Sequence, residues 1–596
     1  MTDMTDITET VDATDVAAAR PWLDAGLPVD ERVELLLGEM TVEEKAGLLF
    51  HTMIAIGDLD ETNPVFGTPS AREFVEAKRM THFNLLGAAP TGREIAAWQN
   101  ALQRLAVSTR LGIPVTLSTD PRHSFSENPG ASILAGPFSQ WPETLGLAAT
   151  RDPALVERFG DIARQEYTAV GLRVALHPQV DLATEPRWAR QTATFSEDAE
   201  LSGILGAAYI RGFQGESFGP GSVSTMTKHF PGGGPQKDGE DPHFPYGREQ
   251  VYPGGEFELH LKPFQDALAA GTRQMMPYYG MPVGTEYEEV GFGFNRSVIT
   301  GLLRERFGFD GLVCTDWGLI NDAEIFGQPF PARAWGVEHL SPKERMRKVL
   351  DAGADQFGGE DCPELLLELV ADGSVSEERL DVSARRVLRE KFELGLFEDP
   401  FVDEDAADEI VGRADFRAAG EAAQRASITV LTNDEALPLA AGLKLYVEGI
   451  EREVAESYGR VVADPAEADV AIIRLQAPFE ERETMFENFF HAGSLDFSAD
   501  VVSHVRGIAA VVPTVVDVLA DRPPILGPIV DAAAAVAVNW GASGAALLDV
   551  LTGAVPAQGR LPFDLPRSMA AVEASRPDVP FDTAEPLFRF GHGLTL

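Results

Sequence analysis

An α/β chain of two unlike domains, a (β/α)8 TIM-type barrel followed by a doubly wound α/β sandwich, is what this sequence predicts. Three observations carry that prediction. Apolar runs alternate with amphipathic helical stretches from about residue 41 to residue 395, and strand and helix in alternation imply a parallel sheet. Several runs deliver reactive side chains at one end: IPVTLSTD ends in Asp120, VSTMTKHF carries Lys228 and His229, RQMMPYYG ends in Tyr278 and Tyr279, and GFDGLVCTDWGLI carries Asp316 beside Trp317. Structural acids and bases scatter, whereas a barrel enzyme collects its chemistry at the carboxyl ends of its strands. Finally, 596 residues exceed what one core sustains.

The elements follow in order. Residues 1–20 read as a polar tail. Thr41 and Glu44, in TVEEK, form a capping box that opens a helix. The barrel domain then runs over 21–395, its strands expected in HFNLLG (82–87), PVTLSTD (114–120), RVALHPQVDL (173–182), STMTKHF (224–230), RQMMPYY (273–279), GLVCTDW (311–317) and ADQFGG (354–359). REIAAWQNALQRLA (93–106) and PALVERFGDIARQEYTAVG (153–171) supply crossover helices. The acidic, proline-bearing FEDPFVDEDAADE (397–409) reads as a linker, placed over 396–416. Over 417–596, ITVLTN (428–433), KLYVEGI (444–450), ADVAIIRL (468–475), VVPTVVDVL (511–519) and AAAVAVNW (533–540) read as strands and SGAALLDVLTG (543–553) as a helix. Open sheets of this kind bind ligands beyond the carboxyl ends of their strands, so the loop after ADVAIIRL is a candidate contributor to a shared cleft.

Composition excludes whole classes of function. A formal charge of −44, from 93 Asp and Glu against 49 Lys and Arg, repels phosphate backbones and anionic membranes. Neither nucleic acid nor membrane is therefore expected as a partner. Two cysteines, Cys314 and Cys362, make neither a disulfide framework nor a metal cluster. The acidic N-terminus has no apolar leader core, and no stretch reaches the roughly 18 apolar residues of a spanning helix. A cytoplasmic location is the expectation. No two of the 11 histidines form H-x-H or H-E-x-x-H, which argues against a barrel metallohydrolase, and the two-carboxylate chemistry considered below needs no metal or organic cofactor. GESFG (215–219) matches G-x-S-x-G, but a helical stretch precedes it and Pro220 follows, so the strand-turn-helix context of a serine nucleophile is missing.

Asp316 is the leading catalytic candidate. A carboxylate attacks an anomeric carbon if a second acid protonates the leaving oxygen, and the neighbouring Trp317 offers a face for a sugar ring. Capping the next helix is the structural alternative for a strand-end aspartate. In KHFPGGG (228–234), Lys228 and His229 supply hydrogen bonds for vicinal hydroxyls, while the glycines admit close backbone approach. It is no phosphate loop, because the lysine precedes the glycines.

Together these motifs resemble glycoside hydrolase family 3, the β-glucosidase-like family, in its two-domain form. TVEEK, EPRWAR (185–190), FSED (195–198), KHFPGGG, GFDGLVCTDW, LTNDEALPL (431–439), GRLPFDLP (559–566) and FRFGHGL (588–594) follow the family's order. The resemblance implies a retaining, exo-acting β-glycosidase that releases terminal glucose from an oligosaccharide or small glycoside. It assigns Asp316 as nucleophile, with Asp120, Arg190, Lys228, His229 and Tyr278 around the non-reducing sugar and Trp317 beside it. It also implies an acid/base Glu from the second domain, within LQAPFEERETMFENFFHAGSLDF (475–497). Glu480 is the first choice and a buried carboxyl is expected of it. Glu481 and Glu487 stay open, with Glu483 behind them.

The family's N-acetylglucosaminidases use an Asp-x-His pair instead, and Asp241 and His243 imitate it two residues further downstream. WAR in place of WGR, Ala193 where relatives carry a sugar-contacting Glu, STDPRHSF, and the long GEDPHFPYG (239–247) depart from the pattern. Phe479, Phe486, Phe489 and Phe490 offer either an aromatic rim or packing against the barrel. A β-N-acetylhexosaminidase, a metal-dependent barrel hydrolase and a non-catalytic sugar binder remain as alternatives. Oligomeric state is open, with a homo-oligomer among the readings.

Overall fold

The computed structural model describes residues 20–63, 67–121, 123–125, 132–325 and 327–596. The polar tail, apart from Arg20, and Arg122 of STDPRHSF lie outside these. The chain forms the barrel and the second sheet that the apolar runs predict.

Eight parallel strands make the first unit: β1 (Phe50–Ala55), β2 (His82–Leu86), β3 (Thr116–Thr119), β4 (Leu172–Ala175), β5 (Ser224–Phe230), β6 (Gln274–Pro277), β7 (Leu312–Val313) and β8 (Phe357–Gly358). From β1 to β7 each pairs with the next, and β8 pairs with β1. The sheet curls until its ends meet, where Cys314 and Gln356 form a parallel bridge and the Thr315 N–H donates to the Gln356 carbonyl at 3.0 Å. Helical segments fill every connection. Two open as the sequence requires. Thr41 and Glu44 exchange backbone bonds as a capping box, and Asp152 accepts from the N–H groups of Ala154 and Leu155 ahead of Pro153.

β1 is the barrel strand that the periodicity missed. FHTMIA follows the helix Val42–Leu48 almost at once and carries His51 and Thr52, so it reads as the frayed end of that helix. The parallel partners His82 and Phe83 on one side and Phe357 and Gly358 on the other complete it as a strand. Tertiary pairing decides here, not local pattern.

The second unit is a six-stranded sheet: β9 (Thr429–Asn433), β10 (Lys444–Glu448), β11 (Arg460–Val461), β12 (Val470–Gln476), β13 (Thr514–Leu519) and β14 (Ala535–Asn539), in the order β9-β14-β13-β12-β10-β11. All pairs are parallel except β9 with β14. Alternate side chains feed opposite layers: Ala471, Ile473, Val516 and Val518 enter one apolar cluster, and Val470, Ile472 and Val515 the other.

The two units share surface. Leu145 and Ala149, from a helix of the first, belong to the same cluster as Trp540 of the second. The acidic stretch 397–409, read as a linker, lies on the barrel: its helix Glu404–Ile410 packs along Gly92–Val107, with Asn100 Nδ2 donating to the Val402 carbonyl at 2.9 Å. Among the described residues, no helix is long and apolar enough to cross a membrane.

Candidate active site

The carboxyl ends of β3 to β7 converge on one buried cluster. At the end of β3, Asp120 accepts from Lys228 Nζ at 2.9 Å, and His177 Nε2 stands 2.6 Å from the same oxygen. β5 delivers Lys228 and His229 from its last turns, both almost fully buried. Burial pushes the Lys228 ammonium down from its ordinary value, and Asp120 opposes that shift. The His229 imidazole is held well below the ordinary histidine range, first by burial and then by Arg190 and Lys228. It is therefore neutral.

Beyond β4, Asp181 lies fully buried against β5. Its Oδ1 accepts the N–H groups of His229 at 3.1 Å and Gly233 at 2.5 Å, and its Oδ2 lies 2.7 Å from His229 Nδ1. Burial raises this carboxyl to about 6 against those hydrogen bonds. The glycine run makes the close approach possible. A Cβ on Gly233 would meet Tyr278 Cε1 at 2.8 Å, and one on Gly234 would meet the Leu182 carbonyl oxygen at 2.1 Å.

At the end of β7, Asp316 Oδ1 accepts the Trp317 N–H at 2.8 Å. Its Oδ2 is buried, stands 3.8 Å from His229 Nε2 and has no hydrogen-bond partner among the described residues. Trp317 is half-buried. The Gly358–Gly359 pair at the end of β8 gives its ring room, since a Cβ on Gly358 or Gly359 would lie 2.7 or 2.8 Å from it. Tyr279 Oη donates to the Trp317 carbonyl at 2.8 Å. The Tyr278 ring lies 4.5 Å from that of His229, with its buried hydroxyl unpartnered among the described residues. Arg190 lies 6.0 Å from the Tyr278 ring, and although burial works against its charge, Tyr278, Asp241, Asp316 and Asp120 raise its pKa. One carboxylate oxygen thus faces the cationic side chains of Lys228 and Arg190 and a neutral imidazole, in a space lined by aromatic rings.

Asp120, Arg190, Lys228, His229, Tyr278, Asp316 and Trp317 all fall at this one end of the barrel. Glu480 does not share their environment. It is exposed, with its backbone N–H bonded to the Ala492 carbonyl, so the burial expected of it is absent. Of the loop carrying it, Phe486, Phe490 and the carboxyl of Glu487 meet the barrel. Glu487 is committed to Tyr246 Oη at 2.9 Å and Thr484 Oγ1 at 2.8 Å, and its carboxyl is lowered by those bonds against burial. Phe486 and Phe490 pack on Phe244, and Phe486 also on Phe330. Arg522 fastens the loop's base, donating to the carbonyls of Pro478, Gly493 and the barrel residue Arg187.

The Asp241–His243 pair enters the site from the barrel's own long loop. Asp241 Oδ1 accepts the His243 N–H at 3.0 Å and lies 2.6 Å from its Nδ1, while Oδ2 accepts from Trp188 Nε1 at 3.2 Å. The imidazole packs between Tyr279 and Phe490, each ring 4.7 Å away. Burial lowers its pKa, and Asp241 and Asp316 pull the other way.

Sequence reasoning passed over His177 and Asp181. Both follow the run RVAL, so the strand-end rule that found Asp120 and Asp316 would have found them. RVALHPQVDL was read as one long strand, whereas β4 stops at Ala175 and leaves both side chains at its carboxyl end.

Family comparison agrees with this architecture. Residues 79–390 match the model of the glycosyl hydrolase family 3 N terminal domain, and 413–596 that of its C-terminal domain. The chain is 53% identical over 580 residues to beta-glucosidase C of Emericella nidulans, covering 96% of this chain and 93% of that protein. It is 41% identical over 597 residues to the periplasmic beta-glucosidase/beta-xylosidase of Dickeya chrysanthemi, covering 96% and 91%. In fold it resembles the crystal structure of beta-glucosidase from Listeria innocua in complex with isofagomine, with a TM-score of 0.76 at 22% identity over 95% of this chain and 83% of that one. With both domain models matched in order over a barrel and sheet of this kind, the chain belongs to glycosyl hydrolase family 3 and is a glycoside hydrolase.

Proposed function

We propose that this enzyme is a retaining, exo-acting β-glucosidase, releasing terminal β-D-glucose from oligosaccharides or small glycosides. One observation carries the reading: a buried carboxylate at a barrel strand end, one oxygen anchored and the other unpartnered, beside charged groups suited to hydroxyls. The names of its relatives support glucosides over N-acetylated sugars, and the Dickeya name adds xylosides as a second class to assay.

Asp316 Oδ2 attacks C1 as the bond from C1 to the glycosidic oxygen breaks, giving a covalent glycosyl-enzyme. A proton must reach the departing oxygen. Exposure disfavours Glu480, and its existing bonds disfavour Glu487. The arrangement favours His243. Asp241 orients the ring and stabilises its protonated form, Nε2–H protonates the leaving group, and the bare Nε2 then takes a proton from the water that releases glucose. Lys228, Arg190, His177 and Asp120 satisfy the sugar hydroxyls, whose burial would otherwise oppose binding.

A 2-fluoro glycoside that traps the intermediate tests the nucleophile by labelling the peptide containing Asp316. A label on any other peptide excludes it. Azide separates the proton donors. His243→Gln should be crippled on substrates with poor leaving groups and rescued as the β-glycosyl azide, while Glu480→Gln keeps nearly full activity. The opposite pattern would hand the role to Glu480. Because the folded His243 loses its proton below the ordinary histidine value of 6.5, the alkaline limb of kcat/KM should stand below that pH.

A further inference from the structure

We propose that Asp181 is a positioning residue that decides which ring nitrogen of His229 carries the proton, so that the imidazole presents a bare Nε2 to the sugar and to Asp316. This rests on the glucosidase reading for its kinetic consequence, but not for its geometry.

Asp181 is fully buried, and its two oxygens face three donors on one strand end: the N–H groups of His229 and Gly233 and the Nδ1 of His229, 2.7 Å away. An ionised carboxylate only accepts, so Nδ1 must carry the hydrogen. With the ring neutral, Nε2 is left as an acceptor. That nitrogen is buried, has no hydrogen-bond partner among the described residues and stands 3.8 Å from Asp316 Oδ2. Its cationic neighbours, Lys228 and Arg190, are donors only. Nε2 is thus suited to accept from a sugar hydroxyl. It also places no donor on the attacking oxygen, which a hydrogen bond would stabilise and blunt. In the other tautomer the ring would point an N–H at Asp316 and leave that hydroxyl without its acceptor. The same carboxylate fastens the glycine turn through Gly233, so one buried group fixes the loop and the tautomer together.

A purely structural role predicts the loop effect alone, and Asp181→Asn separates the two. Its carbonyl oxygen still accepts from both backbone N–H groups, whereas its NH2 donates to Nδ1 and drives the proton to Nε2. Nitrogen-15 NMR of the His229 ring should show Nδ1–H in the wild type and Nε2–H in Asp181→Asn. On aryl β-glucosides kcat/KM should fall by about 100-fold or more at little cost in melting temperature. Across a series of deoxy-glucosides, the hydroxyl whose removal slows the wild type through His229 should cease to matter in the variant. An Nε2–H tautomer in the wild type overturns the proposal whether or not the variant folds. So does a variant with the switched tautomer and undiminished kcat/KM, or one whose deoxy series matches the wild type. A wild type that carries Nδ1–H yet hydrolyses no β-glycoside contradicts the glucosidase reading, and leaves the tautomer assignment standing.

Discussion

A buried ion pair is costly to break from one side only, and the Asp120–Lys228 contact at 2.9 Å is such a pair. Both side chains are under a tenth exposed, and His177 completes the cluster at 2.6 Å. Lys228→Met removes the ammonium that faces the buried Asp120 carboxylate, leaving His177 beside it, and should destabilise the fold by roughly 3 to 5 kcal/mol. Asp120→Asn keeps the shape and removes the charge, so the double variant should regain most of that loss, because the two sites couple through direct contact. Activity should not return with stability, since a sugar hydroxyl loses both an ionised acceptor and a cationic donor. Urea unfolding of the three variants beside kcat/KM checks this. Additive stability losses, with no recovery in the double variant, would show that the pair is not energetically joined.

Strand ends and the turns that follow them fix the site, and the glycines after β5 show how tightly. Gly233 has no room for a methyl group, because the Tyr278 ring edge would lie 2.8 Å away. Gly233→Ala should push Tyr278 aside at a cost of about 1 to 3 kcal/mol and slow turnover more than it weakens binding. A kcat equal to wild type would show that Tyr278 tolerates the shift. This element was legible in the sequence, because KHFPGGG couples reactive residues to glycines at a strand end. So were Asp316 and Asp120, each closing an apolar run. What the sequence withheld was pairing. β1 holds its place through β2 and β8, and neighbours so distant in the chain leave no mark on local periodicity. The placement of Glu480 was equally hidden. A loop rich in glutamate and phenylalanine does not reveal that its rings pack on Phe244 and Phe330 while Glu480 faces solvent.

At the scale of the whole molecule, the barrel and the second sheet are joined through a buried carboxyl whose pKa burial raises. Glu197, from the FSED segment, is buried and accepts the N–H groups of Asp564 at 2.5 Å and Phe581 at 3.0 Å, both from the second unit. Burial, with Asp564 and Asp198 nearby, raises its pKa to about 8 from an ordinary 4.5 against those two hydrogen bonds. A carboxyl raised on folding favours the native state when protonated. Its contribution is complete below pH 4.5, declines as pH climbs, and is lost once pH passes about 8. The change across that window should be on the order of a few kcal/mol. Glu197→Gln, neutral at every pH and still able to accept one of the two bonds, should therefore melt with less dependence on pH and gain on the wild type as conditions turn alkaline. Thermal scans of both proteins from pH 5 to 9 decide it. Parallel curves would mean that Glu197 is charged in the folded enzyme and that its two backbone donors outweigh its burial.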